Sequence, residues 1–322
     1  MGSSRTVMIA DCDHASVDIE RETLKLICRE VPWQSCRTEE DVIRICSTAE
    51  GLLVQYSPLT ARVLRELKRC RGIVRYGVGV DTIDLEAAAD LGIVVSNVPD
   101  YGTEEVSDHA LALILNLARK IYRADGLVKS GVWDFARMKP VPRLGELTLG
   151  VVGFGRIGGS LARKVVPLGM RVIACDPYMP QAAIPGYVTI LGLDELLTRA
   201  DVVSIHCPLN PETRNLISAE RIARMKPGSY LVNTARGGIV DEDALAAELE
   251  RGRLAGAALD VLASEPIRPD HPLLKHPDFL CTPHMAWHSS SAERDLKRKA
   301  AEEIARIVTG QTPKYQVNRR AS

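Results

Sequence analysis

The sequence has no excess of either charge. Lys+Arg and Asp+Glu both number 41 in 322 residues, giving a formal net charge of zero and a pI near 7.0. That balance excludes the basic footprint of a nucleic-acid-binding chain. No uninterrupted apolar run reaches the ~18 residues of a membrane-crossing helix. The first residues lack the charged start and apolar stretch of a signal peptide, so a soluble, cytoplasmic protein is expected. The eight cysteines form no CxxC pair. The usual zinc and dithiol motifs are thereby excluded, and reduced, mostly buried thiols are expected, with no metal site. There is no repeat at solenoid spacing and no low-complexity tract. Met1-Gly2 with Thr6 fits the loose myristoylation pattern, but no second anchoring signal follows, so no membrane partner is expected.

The length allows about two domains. Short β-branched runs alternate with amphipathic stretches. Strand-like runs are Val7–Ala10, Leu52–Val54, Gly72–Arg75, Ile93–Ser96, Leu149–Gly153, Arg171–Cys175, Asp201–His206, Tyr230–Asn233 and Gly256–Asp260. Helical periodicity lies between them, as at Val17–Arg29, Leu59–Lys68 and Asp241–Arg251. This alternation predicts an α/β protein with mainly parallel sheets. Asn97-Val-Pro-Asp-Tyr-Gly102 is turn-rich and precedes a long helical pattern from Glu104 to about Ala124. A second change comes at Ser289-Ser-Ser291, where a charged helix begins. A central domain over 102–291, inserted in an outer domain of 1–101 plus 292–322, fits both boundaries; a single split near Gly145 also fits the periodicity. Residues 126–150, with Trp133 and Phe135, read as a loop-rich arm.

Gly153-x-Gly155-x-x-Gly158 follows a strand-like run and opens a helical pattern. Gly153 permits a tight turn, Gly155 lets the backbone approach a pyrophosphate, and Gly158 permits close helix–strand packing. The helix N-terminus supplies unpaired N–H groups and a positive dipole end for the anion. The next strand-like run ends at Asp176, at the offset of a carboxylate that accepts from a ribose 2′-OH. The same carboxylate repels a 2′-phosphate, which predicts NAD, with NADH preferred over NADPH.

Three later segments put polar residues after strand-like runs, where ligands of open α/β sheets bind. They carry Arg236, then Asp260 with Glu265, then His284. Hydride transfer to a 2-keto acid needs an anchored carboxylate, a polarised carbonyl and a proton for the alkoxide. An Arg fork, a His and a carboxylate beside that His supply these. Taken singly, Arg236 reads equally as a loop cation, Glu265 as a turn residue and His284 as a packed histidine.

The glycine loop, His206-Cys-Pro-Leu209, Val232-Asn-Thr-Ala-Arg-Gly-Gly238, Ala257-Ala-Leu-Asp260, Ser264-Glu-Pro266 and Thr282-Pro-His284 together resemble the D-isomer-specific 2-hydroxyacid dehydrogenase family. Val74-Arg-Tyr-Gly-Val-Gly-Val-Asp81 and Val95-Ser-Asn-Val-Pro99 resemble it too, so the likeness runs from about residue 50 to 317. It implies two Rossmann-like, doubly wound parallel-sheet domains, the nucleotide-binding one inserted in a discontinuous substrate domain. It implies Arg236 as the substrate-binding Arg, Glu265 as the His partner and His284 as the acid/base. Backbone donors at Val78 and Gly79 would meet the substrate carboxylate. Cofactor roles fall to Val106, Gly153, Gly155, Arg156, Ile157, Gly158, Asp176, His206, Pro208, Thr213, Thr234, Ala235, Arg236, Asp260 and His284, with Asp260 on the nicotinamide carboxamide. A homodimer through the nucleotide domain and its arm is implied as well.

Ser204-Ile-His-Cys-Pro-Leu-Asn210, Ala174-Cys-Asp-Pro-Tyr178 and Thr282-Pro-His-Met-Ala-Trp287 are most similar to C-terminal-binding-protein-like members. That likeness adds Arg75 on the substrate carboxylate and Trp287 as a wall of the pocket. Met285 and His288 depart from those relatives. An NAD-sensing corepressor-like protein, and a reductase of phosphonate- or phosphate-bearing keto acids, are the alternatives to a plain 2-hydroxy acid dehydrogenase.

Overall fold

Most of the β-branched runs become parallel strands. The computed structural model describes residues 5–319, so the Met1-Gly2 start lies outside the described residues. The chain divides into two units, one running to Gly102 and resuming at Ser289, the other spanning Thr103–His288.

The first unit carries β1 (Val7–Ile9), β2 (Gly51–Val54), β3 (Gly72–Arg75) and β4 (Val94–Ser96). They form a parallel sheet in that order. Parallel bridges from Arg5 to Cys28 and from Ile9 to Trp33 add to it at β1. The helix Ser290–Val308 packs on β2 and β3. Ser289 caps it by accepting from Ala292 N, and Leu296, Ala300, Ile304 and Ile307 form its buried stripe. The stripe can approach because β2 and β3 both begin with glycine. A Cβ on Gly72 would lie 2.3 Å from Ile307 Cγ2. Beyond the helix, the buried Glu303 carboxylate accepts from Lys314 N and Tyr315 N and fixes the chain that follows.

The second unit carries β5 (Thr148–Val152), β6 (Arg171–Cys175), β7 (Val188–Ile190), β8 (Val202–Ile205), β9 (Tyr230–Asn233), β10 (Gly256–Leu259) and β11 (Phe279–Cys281). Their order is β11-β10-β9-β8-β5-β6-β7, every neighbour parallel. Successive residues serve opposite faces. Leu149, Val151, Val172 and Ala174 join one apolar cluster, with residues of the helices Thr103–Arg119 and Arg156–Val165. Val152, Ile173, Val203 and Ile205 join another, with residues of the helices Leu193–Arg199, Ala219–Arg224 and Glu242–Glu250. Covered on both faces, the strands need no polar alternation. This is the doubly wound parallel architecture expected. The chain reverses direction of travel across the sheet between β5 and β8, and ligands of such sheets bind beyond the carboxyl ends at that switch point.

The structure differs from the sequence expectation at two places. The helical pattern expected from Glu104 to about Ala124 breaks into Thr103–Arg119 and Ile121–Lys129. Lys120 takes a left-handed conformation (φ 52°), and Asn116 Oδ1 accepts from Tyr122 N at the start of the second helix. The arm read as loop-rich therefore begins as helix, continues through short 3-10 turns at Phe135–Met138 and Leu144–Glu146, and runs into β5. β7 escapes the sequence because its central Thr189 is exposed, so no continuous apolar run marks it. Among the described residues, no helix is long and apolar enough to cross a membrane.

Gly72→Ala is expected to lower stability by about 1–3 kcal/mol through overpacking against Ile307, measured as a fall in Tm.

Candidate active site

At the end of β5 the chain must turn sharply into the helix Arg156–Val165. Gly153 does so at φ 91°, and its N–H bonds to Cys175 O at 2.9 Å. A Cβ there would sit 2.6 Å from Cys207 N, so the β5 and β8 ends approach closely only with glycine. Gly158 packs its own Cα against the carbonyl of Gly153, where a Cβ would lie 2.3 Å from the oxygen. Gly155 caps the helix without a side-chain bond, leaving the first-turn N–H groups of Arg156 and Ile157 without an intrahelical acceptor. Asp176 follows β6. Its Oδ2 accepts from Phe154 N and its Oδ1 from Tyr178 N, both at 2.9 Å. The carboxylate thus fastens the glycine loop, and each oxygen retains a lone pair for a further donor.

His206 ends β8. Its Nε2 lies 2.8 Å from Ser204 Oγ, while Nδ1 is buried without a partner among the described residues. Burial pulls its pKa down to about 4, so the ring is neutral at pH 7. Thr213 donates to Pro208 O and accepts from Asn210 N, which closes the turn after His206. At the end of β9, Asn233 is fully buried. Its Oδ1 accepts from Ala235 N at 2.9 Å, and its Nδ2 donates to Arg236 O at 2.8 Å. This amide shapes the turn carrying Thr234, Ala235 and Arg236, and sequence reasoning missed it; an Asn opening a polar loop after a strand was the available signal. Thr234 is buried with its hydroxyl unpartnered among the described residues. A dinucleotide fits this donor set. The uncapped helix end suits a pyrophosphate, and the orphaned Thr234 and His206 atoms lie at neighbouring strand ends.

The Arg236 turn lies against the segment before Glu265. A Cβ on Gly237 would fall 1.9 Å from the Leu262 carbonyl carbon. Glu265 Oε1 accepts from Leu262 N at 3.0 Å, and Oε2 lies 2.8 Å from His284 Nδ1. Burial pushes the Glu265 carboxyl up, but His284, the Leu262 N–H and the Arg236 charge outweigh it and hold it below the usual carboxylate range. An ionised carboxylate only accepts, so Nδ1 carries the hydrogen and Nε2 remains for another partner. His284 itself adopts φ 52°, the left-handed region. Asp260, buried after β10, holds that loop: its Oδ1 accepts from Thr282 Oγ1 and Met285 N, and its Oδ2 from Ala286 N. Oδ2 keeps one lone pair for a further donor.

Val106 is half-buried on the helix Thr103–Arg119. Trp287 is half-buried, edge-to-face with the exposed His288 at 5.4 Å. Arg75, Val78 and Gly79 belong to the first unit, at and beyond the carboxyl end of β3. There Arg75 Nε donates to Gln55 O at 3.2 Å, and Asn97 Nδ2 donates to Val78 O at 2.6 Å. The second unit alone brings together Arg236, Glu265, His284, Asp260 and the glycine-loop residues. Among the described residues, no group of three or more His, Cys, Asp or Glu is placed to hold a metal.

Asn233→Ala is expected to leave Ala235 N and Arg236 O unpaired, lowering the urea midpoint by the equivalent of about 1–3 kcal/mol.

Residues 111–286 match the family model described as "D-isomer specific 2-hydroxyacid dehydrogenase, NAD binding domain". A D-3-phosphoglycerate dehydrogenase of Methanocaldococcus jannaschii is 38% identical over 292 residues, 90% of this chain and 55% of the relative. The chain therefore spans little more than half the length of that curated relative. A crystal structure of D-lactate dehydrogenase from Aquifex aeolicus, complexed with NAD and lactic acid, is 30% identical with a TM-score of 0.86, covering 94% of this chain and 96% of that one. A glyoxylate reductase from Paecilomyes thermophila is 26% identical with a TM-score of 0.87, covering 98% of each chain. With an NAD-binding domain over more than half its length and this set of strand-end residues, the chain belongs to the D-isomer-specific 2-hydroxyacid dehydrogenase family.

Proposed function

We propose that this chain interconverts a small 2-keto acid and the D-2-hydroxy acid, with NAD(H) as cofactor. The observation that carries the proposal is the 2.8 Å bond between His284 Nδ1 and Glu265 Oε2, set beyond the strand ends of the NAD-binding sheet. The glycine-loop N–H groups of Arg156 and Ile157 hold the pyrophosphate. Asp176 accepts from the adenosine ribose, and its charge favours NADH over NADPH. His206, Pro208, Thr213, Thr234 and Ala235 line the rest of the cofactor path, with Val106 at the nicotinamide end, and Asp260 Oδ2 offers its remaining lone pair to the carboxamide. When bound, the nicotinamide supplies or accepts the hydride at C2 of the substrate.

The chain's own residues do the rest. Arg236 pairs with the substrate carboxylate through its planar fork. Arg75 and the Val78 and Gly79 backbone assist, and Trp287 offers an apolar wall. His284 Nε2 gives a proton to the C2 oxygen during reduction and takes it during oxidation. Glu265 fixes the ring's tautomer and stabilises the imidazolium. We assign a homodimer through the arm, where Trp133 and Phe135 are 89% and 79% exposed. A second reading, a substrate that also bears a phosphate or phosphonate, is favoured by the name of the 38%-identical relative and by the cation Arg75.

An NADH-consumption screen over glyoxylate, hydroxypyruvate, pyruvate, branched, aromatic, thioether, phosphate and phosphonate keto acids tests both readings. At least one is expected to be reduced, and none reduced sinks the assignment. His284→Ala should lower kcat by about 10²–10⁴ while NADH affinity changes little; unchanged turnover would remove His284 from the chemistry. Asp176→Ala should erase the preference for NADH over NADPH, read by fluorescence titration with each nucleotide. An unaltered preference defeats that role.

A further inference from the structure

Behind His284 runs a chain of hydrogen bonds with two members, His109 and Thr282, that the proposed chemistry does not use. His109, on the helix Thr103–Arg119, places Nε2 3.0 Å from Thr282 Oγ1. Thr282 Oγ1 lies 2.5 Å from Asp260 Oδ1. Asp260 then grips the next residues of the same loop: its side chain accepts from Met285 N at 3.0 Å and Ala286 N at 2.9 Å, and its carbonyl accepts from His284 N at 2.8 Å.

The direction of this chain follows from counting protons. A threonine hydroxyl has one hydrogen, and an ionised carboxylate donates none. The Thr282 hydrogen therefore goes to Asp260, and the Thr282 oxygen accepts from His109. His109 must carry its hydrogen on Nε2. The far end of the chain is a backbone that needs holding. At φ 52° His284 occupies a region that non-glycine residues keep only where their surroundings over-determine it. Asp260 is the element that over-determines it, and Thr282, backed by His109, donates to the same Asp260 Oδ1 that accepts from Met285 N, while Oδ2 accepts from Ala286 N.

We propose that His109 and Thr282 are positioning residues that hold His284 in register for proton transfer through Asp260. This rests on the reading of His284 as the acid/base. Thr282→Val and His109→Leu remove a donor at similar volume; Thr282→Ser and His109→Gln restore one, the Gln Nε2 standing near the place of the imidazole Nε2. With the best keto acid of the screen, the first pair should lower kcat about 10- to 100-fold with KM altered far less, and the second pair should recover most of it. A loss confined to KM, or one that Ser and Gln fail to rescue, overturns the proposal.

A second measurement does not depend on activity. In ¹⁵N-histidine NMR spectra of the wild-type chain, His109 should show a protonated Nε2, and Thr282→Val should shift the His284 ring resonances while Thr282→Ser leaves them near the wild-type positions. An Nδ1–H tautomer at His109, or His284 resonances indifferent to Thr282→Val, refutes the chain. If the wild type reduces no keto acid, the acid/base reading fails on its own, and these spectra still decide whether the network positions His284.

Discussion

The buried carboxylate of Asp260 is the constraint on which the site depends. It sits where β10 ends, accepts from Thr282, Met285 and Ala286, and so determines where the loop after β11 can run. A carboxylate this far from water is tolerated only when its oxygens are supplied with donors. Here the donors come from the segment that presents His284, so desolvating one charge fixes a loop as well. The Glu265–His284 bond is the downstream half of the same arrangement. Glu265 is fastened by the Leu262 N–H, and His284 by the loop that Asp260 has already set.

The two halves of the site differ in how far local chemistry reveals them. The dinucleotide half is legible in sequence because its parts are contiguous. A strand, three glycines, a helix and Asp176 lie within 29 residues of one another, and each is demanded by turn geometry or by anion binding. The catalytic half is not. Arg236, Glu265 and His284 meet because β9, β10 and β11 lie side by side in parallel register. Periodicity identifies such strands without saying which neighbours which. Only the family likeness supplied that adjacency at the sequence level. The positions of Arg75, Val78 and Gly79 at the end of β3 were legible, whereas Asn97 beneath Val78 was not singled out.

What sequence reasoning missed has a common physical character. Asn233, Thr282 and His109 act through hydrogen bonds to backbone or to a neighbour's side chain, and residue type alone does not advertise that work. Lys120 is a similar case. Nothing in an apolar repeat signals a left-handed residue, because the break is secured by Asn116 reaching forward to Tyr122 N. The edge strand β7 escaped because an exposed Thr189 interrupts its apolar residues. Thr234 and His206, by contrast, stood in the motifs from the start. Folding adds that each presents a buried polar atom without a partner among the described residues, which is how a protein prepares to receive a ligand's hydrogen bonds.

The first unit is assembled from both ends of the chain, and this ordains a sequence of events during synthesis. The seven-stranded sheet of the second unit has all its strands once residue 281 has left the ribosome. β2 and β3 are made far earlier, yet the helix that covers their glycine-bearing face spans Ser290–Val308. While the intervening residues are made, that face is an uncovered apolar surface waiting for a distant segment, the kind of exposure that recruits chaperones or draws nascent chains together. The first unit is thus begun before the second and completed after it.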